Sequence, residues 1–243
     1  MIPVSAPESP AVVAPPSGPV AVMVLVDIAP GSKGWGWARF VFGRFALRGT
    51  PGLRFFKVLG CGYDSGFGLR PSLSRQGVFC VFDGDDTADR FLDSSALAKA
   101  YQARSSEYFA VKLHPFSSRG SWSGMSLPVT ASAPESGPVA ALTRASIRPG
   151  LARAFWKQAP LTQRSLVDAP GCLFSAGVGE APLLRQATFT MWESVARMDA
   201  YARSGAHLEA IKASQRNGYF SESMFVRFVP CGARGVWMGR HHG

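Results

Sequence analysis

The sequence has few acidic residues and few charged residues in general. This composition indicates what kind of surface the protein has. Aspartate and glutamate number 16 against 26 lysines and arginines, so the formal net charge is +10. Charged residues make up 17% of the chain, below the roughly 25% usual in soluble proteins. A low charge density leaves more apolar surface, which predicts an apolar ligand or contact with a membrane. Glycine and alanine in place of surface charge would produce the same composition.

The basic residues lack the patterns that nucleic-acid binding uses. There is no zinc-finger spacing, no run of five lysines or arginines and no RNP-like aromatic strand motif. The sequence therefore predicts no nucleic-acid partner. The positive charge instead favours an acidic redox protein or an anionic membrane, because complementary charge speeds association.

Long apolar runs and paired cysteines are also missing. The longest apolar run, Pro19–Pro30, is too short to span a bilayer and contains Asp27. The first residues lack the charged region and continuous apolar core of a secretory signal. None of the four cysteines forms a C-x-x-C pair. We therefore expect a cytoplasmic protein with reduced thiols, peripheral at a membrane if it contacts one.

Two stretches rich in Pro, Ala and Ser divide the chain. Residues 1–17 predict a disordered tail, and residues 126–136 predict a linker. Between and after them lie two modules, residues 18–125 and residues 137–238. Each module is long enough to build a hydrophobic core.

The two modules repeat one another in three blocks that keep the same order. Pro51–Gly60 matches Pro170–Gly179, and Ser106–Trp122 matches Ser221–Trp237 with a shared Ser-Glu, Pro and Arg-Gly-x-Trp. The remaining block pairs GVFCVF with ATFTMW. Because the glutamates at 107 and 222 are repeated, they predict a structural role common to both modules, such as capping the last strand.

Each module has the pattern β-α-β-β-α-β, the ferredoxin-like order. The first strands are Val20–Ile28 and Val139–Ile147. Thr87–Arg104 predicts one helix, whereas Gly205 splits the corresponding region of the second module into two. The fold class is therefore α+β: tandem duplicated ferredoxin-like modules whose antiparallel sheets face each other, a pseudo-dimer of the dimeric α+β barrel type.

Of the four histidines, His207 has the most distinctive position. It follows the predicted N-cap Gly205 in the first turn of a helix, where the dipole favours the neutral imidazole that binds metals. The first module has leucine at the aligned positions. By spacing alone a structural or exposed histidine stays the simpler interpretation. His114 predicts a surface residue at a strand end, and we expect residues 241 and 242 to be unstructured.

The spacing of ligands argues against zinc, because His207 has no clustered Cys, Asp or Glu to complete four positions. A haem needs only one axial ligand from the protein, since the porphyrin supplies four nitrogens. Cys231 is the rival ligand as a thiolate. It aligns with Phe116 of the first module, which favours a buried thiol instead.

The second module resembles the spheroidene monooxygenase family, the carotenoid ketolases of phototrophic bacteria. The resemblance lies in four segments that occur in order: Ala141–Ile147, the hairpin Phe174–Trp192, Met198–Ser214 and Tyr219–Phe228. It continues at Arg234-Gly-Val-Trp. In the first module the match is weaker but includes PGLRFFKVLGCG.

This resemblance implies a haem-dependent monooxygenase that oxygenates a linear carotenoid or similar apolar metabolite with electrons from a ferredoxin-type donor. Fused haem enzymes of this barrel type bind the haem iron in one half through a histidine, which His207 matches. Arg144 and Arg185 are the candidate catalytic groups that polarise bound dioxygen. Arginine on the exposed face of a strand is their simpler interpretation.

Two other functions stay open at this point. The first keeps the haem but changes the reaction to a dehydration of a nitrogen–oxygen substrate, as in aldoxime dehydratases of similar fold. The second is a cofactor-free protein that uses the barrel as a pocket for an apolar ligand. An absorbance spectrum separates the haem enzymes from the cofactor-free protein.

Overall fold

The computed structural model describes residues 18–63, 70–157, 166, 168–181 and 183–242. The predicted disordered tail, residues 1–17, lies outside the described residues, as do the side chains at positions 206, 207, 210, 211 and 215. In the described part of the chain, no helix is long and apolar enough to cross a membrane.

The first module contains every element that the pattern predicts. In chain order these are β1 (Val20–Ile28), α1 (Lys33–Leu47), β2 (Leu53–Gly62), β3 (Pro71–Phe82), α2 (Asp85–Ser94), α3 (Ala96–Arg104) and β4 (Ser105–Gly120). The single helix predicted over Thr87–Arg104 is wrong. Ser95 has an extended backbone, and its hydroxyl accepts a 3.0 Å hydrogen bond from the Ala98 amide. Ser95 therefore ends α2 and caps α3.

The second module repeats this order with one additional strand. Its elements are β5 (Val139–Ile147), α4 (residues 152–157), β6 (Cys172–Ala181), β7 (Arg185–Trp192), α5 (Val195–Ala202), α6 (Gly205–Asn217), β8 (Phe220–Trp237) and β9 (Arg240–His242). The predicted split into two helices is confirmed. The expectation that residues 241 and 242 are unstructured is wrong, because β9 pairs with β8 and the His242 ring lies 4.9 Å from that of Phe174.

The two sheets close into one barrel, which confirms the predicted fold class. The strand orders are β4-β1-β3-β2 and β8-β5-β7-β6, with every neighbouring pair antiparallel. The sheets join where equivalent strands pair, β2 with β6 and β4 with β8. β1 and β5 therefore occupy equivalent places. Closure also pairs the strand edges that an open sheet would expose.

The barrel interior is a single apolar core to which both modules contribute. Met23, Phe79 and Phe109 from the first module pack with Phe189 and Phe228 from the second, and all five are fully buried. The predicted linker adds Leu127, which is 2% exposed. The two modules therefore share one core, whose burial stabilises them together.

The repeated Arg-Gly-x-Trp motif closes the barrel at the ends of β4 and β8. Trp122 and Trp237 are both fully buried in the interior core. The glycines before them, Gly120 and Gly235, have φ of 82° and 97°. A Cβ at either position would lie 2.1 Å or 2.0 Å from a carbonyl oxygen of the opposite module. Only glycine permits this approach of the two backbones.

The repeated glutamates join the two modules to each other. Glu107 on β4 accepts hydrogen bonds from the amides of Met238 and Gly239, which follow Trp237 in the second module. Glu222 on β8 accepts one at 3.0 Å from the amide of Gly124, which follows Trp122 in the first. Their common structural role is thereby confirmed. Each glutamate caps the chain that leaves the other module's last strand.

Candidate functional site

The second module's sheet carries small and polar residues on the face that points away from the barrel interior. Ala140 and Leu142 belong to the interior core, so the alternating residues of β5 point outward. Pairing across β8, β5, β7 and β6 aligns these outward residues in three rows. The rows are Arg227–Ala141–Thr190–Ser175, Phe225–Thr143–Thr188–Gly177 and Ser223–Ala145–Gln186–Gly179.

The equivalent face of the first module carries mostly apolar side chains, several of them larger than those of the second. Its rows are Lys112–Val22–Cys80–Phe56, Ala110–Val24–Val78–Val58 and Tyr108–Val26–Gln76–Gly60. Val22 and Val24 are 0% and 3% exposed within a core that includes Phe91 and Leu92 of α2. Thr143, which replaces Val24, is only half-buried. Ala141, Ala145 and Gly177 stand where the first face has Val22, Val26 and Val58, so side-chain volume has been removed at these positions.

The helices over the two faces are placed differently as well. In the first module α3 packs on β1 and β4, whereas α6 packs mainly against α5. Phe225 belongs to the middle of the three rows and lies at the β8 end of that row. It is still 40% exposed, although β8 is paired on both sides. Because this face carries small side chains and α6 contacts α5, we infer a groove between α6 and the sheet. We call the space between α6 and this face the outer groove.

The outer groove meets the requirements of a flat, largely apolar cofactor. Haem needs a surface with few large side chains and one donor from the protein, since the porphyrin supplies four nitrogens. Ala141, Ala145 and Gly177 are small residues on this face, and α6 carries His207 in its first turn. Among the side chains that the structure describes, no three of His, Cys, Asp or Glu cluster as ligands of a metal ion. The haem expectation therefore rests on the small residues of this face and on the presence of His207 in α6.

His207 occupies the third position of α6. The helix begins at Gly205 and its N-cap is Ser204, one residue earlier than predicted. Gly218 ends the helix with φ of 58°, a left-handed cap. The imidazole itself lies outside the described side chains, so its role as a haem ligand stays a prediction.

Arg144 lies inside the barrel, on the opposite side of the sheet from α6. Arg144 is 2% exposed, and its guanidinium donates to Glu222 and, at 3.1 Å, to Glu180. Glu180 also accepts a 2.8 Å bond from the Trp122 indole and pairs with Lys57 at 2.7 Å. We call Lys57, Arg144, Glu180 and Glu222 the interior charge cluster. It brings together strands β2, β5, β6 and β8.

Both carboxylates of the interior charge cluster are held ionised. Burial raises the pKa of Glu180, but hydrogen bonds from Lys57 and Trp122 outweigh it and lower that pKa overall. Burial likewise opposes ionisation of Glu222, yet the amides of Gly124 and Ser123 lower its pKa to about 2. The cluster is therefore balanced, with two cations and two anions, at neutral pH.

Arg185 is not part of this cluster. It is exposed at the first position of β7, where it pairs with Ser146 of β5 and Ala181 of β6. The structure thus places one predicted catalytic arginine in the barrel interior and the other at the end of a strand. Catalytic roles for Arg144 and Arg185 stay predictions.

Two expectations about other ligand candidates are wrong. His114 is in the middle of β4 and only 4% exposed, because β4 continues to Gly120 beneath the N-terminus of α2. Burial lowers the pKa of His114, while Asp85, 3.4 Å from its Nε2, opposes that effect. Cys231, expected to be buried, is exposed on β8 where it pairs with Lys112.

The remaining thiols are unsuited to nucleophilic chemistry. Cys61 and Cys80 are buried, and burial raises the pKa of Cys61 to about 12. Burial also raises the pKa of Cys172, to about 11. Since the thiolate is the reactive form, these cysteines are inert at neutral pH.

The sequence patterns did not identify Thr143, Thr188 and Gln186 as candidate site residues. They carry hydroxyl and amide groups on the outer groove face. A signal was available: VMVLV in β1 aligns with ALTRA in β5, so β-branched aliphatic residues give way to Ala and Thr at alternate positions. Comparison of the two modules position by position would have located the groove.

No protein-family model matches the chain. Three relatives are called spheroidene monooxygenase. That of Rubrivivax gelatinosus is 54% identical over 226 residues, covering 93% of this chain and 88% of the relative. That of Rhodobacter capsulatus is 34% identical over 210 residues, covering 85% and 87%. That of Cereibacter sphaeroides is 30% identical over 210 residues, covering 85% and 64%.

Solved structures share the architecture at much lower identity. An aldoxime dehydratase superposes with a TM-score of 0.58 at 11% identity, covering 93% of this chain and 88% of that one. An aldoxime dehydratase in complex with butyraldoxime gives a TM-score of 0.56 at 10% identity, with 88% and 79% covered. At such identity the likeness concerns the fold alone.

Proposed function

The chain belongs to the spheroidene monooxygenase family, and from this membership we propose that it oxygenates a linear carotenoid or a similar apolar metabolite. The observation that carries the proposal is the 54% identity over 93% of the chain to a relative of that name. An alignment that covers 93% of the chain extends over both modules. The apolar substrate also suits a chain with 17% charged residues.

Haem is the cofactor we propose, and His207 and the residues of the outer groove would hold it. When bound, it supplies an iron at which dioxygen is activated. The support is the fit described above: small residues on one of two equivalent faces, and a histidine in the first turn of the helix above it.

The chain's own residues then bind the apolar substrate and orient it. Ala141, Ala145 and Gly177 leave an apolar surface from which water is displaced by an apolar chain. Thr143 and Thr188 bring hydroxyl donors to that surface, so we expect them to orient polar atoms that enter the groove. The interior charge cluster lies on the other side of the sheet and fixes the strands that carry these residues.

A monooxygenase places one oxygen atom in its substrate and reduces the other to water, which consumes two electrons and two protons. We propose a ferredoxin-type protein as the electron donor. The net charge of +10 favours an acidic partner, because opposite charges raise the rate of encounter.

The dehydratase hypothesis receives no separate support. Its basis in solved structures is a likeness of fold at 11% identity. A cofactor-free binding protein is disfavoured by the family and by the barrel interior, which aromatic side chains fill, with Phe79 and Trp122 stacked at 5.4 Å.

The activity is tested by supplying the purified protein, reconstituted with haem, with an acyclic carotenoid, a reducing system and isotopically labelled dioxygen. We expect one labelled oxygen atom in the product, detected by mass spectrometry. Label that enters from water instead of dioxygen, or an unchanged carotenoid at full haem content, would refute the proposed reaction.

Filling the outer groove should exclude the cofactor. Thr143→Leu combined with Gly177→Val restores the bulk that the first module has at Val24 and Val58. We expect the haem content, measured by Soret absorbance per protein, to fall by about tenfold or more, because a planar ligand needs the vacated volume. The melting temperature should change little, since added apolar atoms lie under α6.

The matched control for groove filling is Val24→Leu, which enlarges the equivalent residue of the first module. Overpacking there lowers the melting temperature, at a cost of about 1–3 kcal/mol, but leaves the haem content unchanged. Full haem content in the groove-filled protein would place the cofactor elsewhere.

A further inference from the structure

Helix α1 exposes several bulky apolar residues on its outer face. Trp37, Val41, Phe42 and Phe45 are each 48–56% exposed. Trp35 and Leu47 pack against the core under the sheet, and the other residues of α1 that face the sheet include two glycines. A Cβ on Gly36 would lie 3.0 Å from the Ile28 side chain. A surface helix normally buries its large apolar residues, whereas α1 leaves four of them exposed, and we call this the inverted arrangement.

The inverted arrangement is fixed by packing against the sheet. A Cβ on Gly43 would lie 3.1 Å from the Val58 side chain, and Leu47 is buried against the same core. Because glycine allows the helix axis to come close to β2, rotation of α1 by half a turn would place aromatic rings where no room exists. The aromatic residues are thus held at the surface rather than exposed by chance.

The charged residues of α1 are all positive. Lys33, Arg44 and Arg48 are exposed, and α1 contains no aspartate or glutamate. The guanidinium carbons of Arg44 and Arg48 lie 4.8 Å and 5.2 Å from the centre of the Phe45 ring. Aromatic rings beside basic groups that extend along them are typical of helices that lie in a membrane interface.

We propose that the outward face of α1 docks on an anionic lipid surface. A helix of 15 residues is roughly 22 Å long, too short to cross a bilayer of about 30 Å, so α1 lies parallel to the surface. Trp37, Val41, Phe42 and Phe45 enter the boundary between headgroups and acyl chains, and Arg44 and Arg48 contact lipid phosphates. An acidic protein would form ion pairs with the arginines but would not bury the four apolar side chains beside them.

This inference deepens the proposed function, since an apolar substrate dissolved in a bilayer would be collected where the enzyme rests. Its test needs neither carotenoid nor electron donor. Vesicle binding therefore succeeds or fails independently of the oxygenation.

The test is co-sedimentation of the full chain with vesicles of phosphatidylcholine, with and without phosphatidylglycerol. We expect binding that is stronger to the anionic vesicles and weakens with salt. Val41→Glu combined with Phe45→Glu should lower the affinity by at least about tenfold. Arg44→Gln combined with Arg48→Gln should lower it roughly 20-fold on anionic vesicles and little on neutral ones. Val129→Glu, at a 55% exposed site outside α1, is the control and should bind normally.

Fluorescence locates the contact, because Trp37 is the exposed tryptophan among six. We expect a blue shift on vesicle binding that Trp37→Phe removes while binding persists. Wild-type protein that ignores anionic vesicles, or the paired glutamate variant binding like wild type, would overturn the proposal. A wild-type dimer in light scattering, converted to monomer by the same variant, would assign the face to a second copy of the chain.

Discussion

His207→Ala should abolish haem binding while the protein stays folded. We expect the Soret absorbance of the reconstituted variant to fall at least tenfold, because the axial ligand supplies the protein's bond to iron. The unfolding temperature of the haem-free variant should match that of the haem-free wild type, since the proposed partner of the imidazole is the cofactor. Added imidazole should restore part of the absorbance by occupying the vacated ligand position.

Two variants serve as controls for this result. His114→Ala removes a buried histidine of the first module and should cost about 1–3 kcal/mol of stability with haem content unchanged. Cys231→Ser removes the exposed rival thiol and should change neither property. Full haem content in His207→Ala, with loss in Cys231→Ser, would transfer the ligand role to the cysteine.

Gly235→Ala should unfold the barrel or destabilise it by more than about 4 kcal/mol, among the largest effects of single substitutions. The residue has φ of 97°, and a Cβ would lie 2.0 Å from the Tyr108 carbonyl oxygen. That carbonyl belongs to β4, which pairs with β8 at this point. The clash is therefore relieved only by separating the strands that join the two modules. Gly120→Ala, 2.1 Å from the Ser223 carbonyl oxygen, should behave alike.

The control for this prediction is Gly232→Ala, three residues away on the same strand. Its φ is 60°, but nothing lies within 4 Å of the added Cβ. It should cost only about 1 kcal/mol, the penalty of a left-handed conformation alone. Urea unfolding followed by circular dichroism measures all three variants. Equal destabilisation by Gly235→Ala and Gly232→Ala would show that the backbone approach is unimportant.

The fold could be predicted from the sequence because duplication made every pattern appear twice. β1 and β5 have the predicted bounds. The break between α5 and α6 lies immediately before Gly205, the residue that predicted it. The break at Ser95 was missed because the apolar spacing continues on both sides and only the serine cap marks it. His114 was misplaced because Pro115 resembled a strand end, although β4 continues beyond it.

The candidate site was less predictable, for a physical reason. His207 could be selected by its asymmetry, but the outer groove depends on which of two alternating faces each residue occupies. Arg144 illustrates this: it alternates with Thr143 along β5, so one belongs to the interior charge cluster and the other to the groove. Which face each residue occupies depends on the strand register, and the register is known only once the strand pairing is known.

The contrast between Val22 and Ala141 also explains what covalent fusion of the modules makes possible. In a homodimer each substitution occurs twice, so hollowing one sheet face for a ligand hollows the other and weakens both packing layers. In a single chain the first module can keep its valines, and with them its stability, while the second loses volume at the same positions. Gene duplication thus separates the selection for folding from the selection for ligand binding.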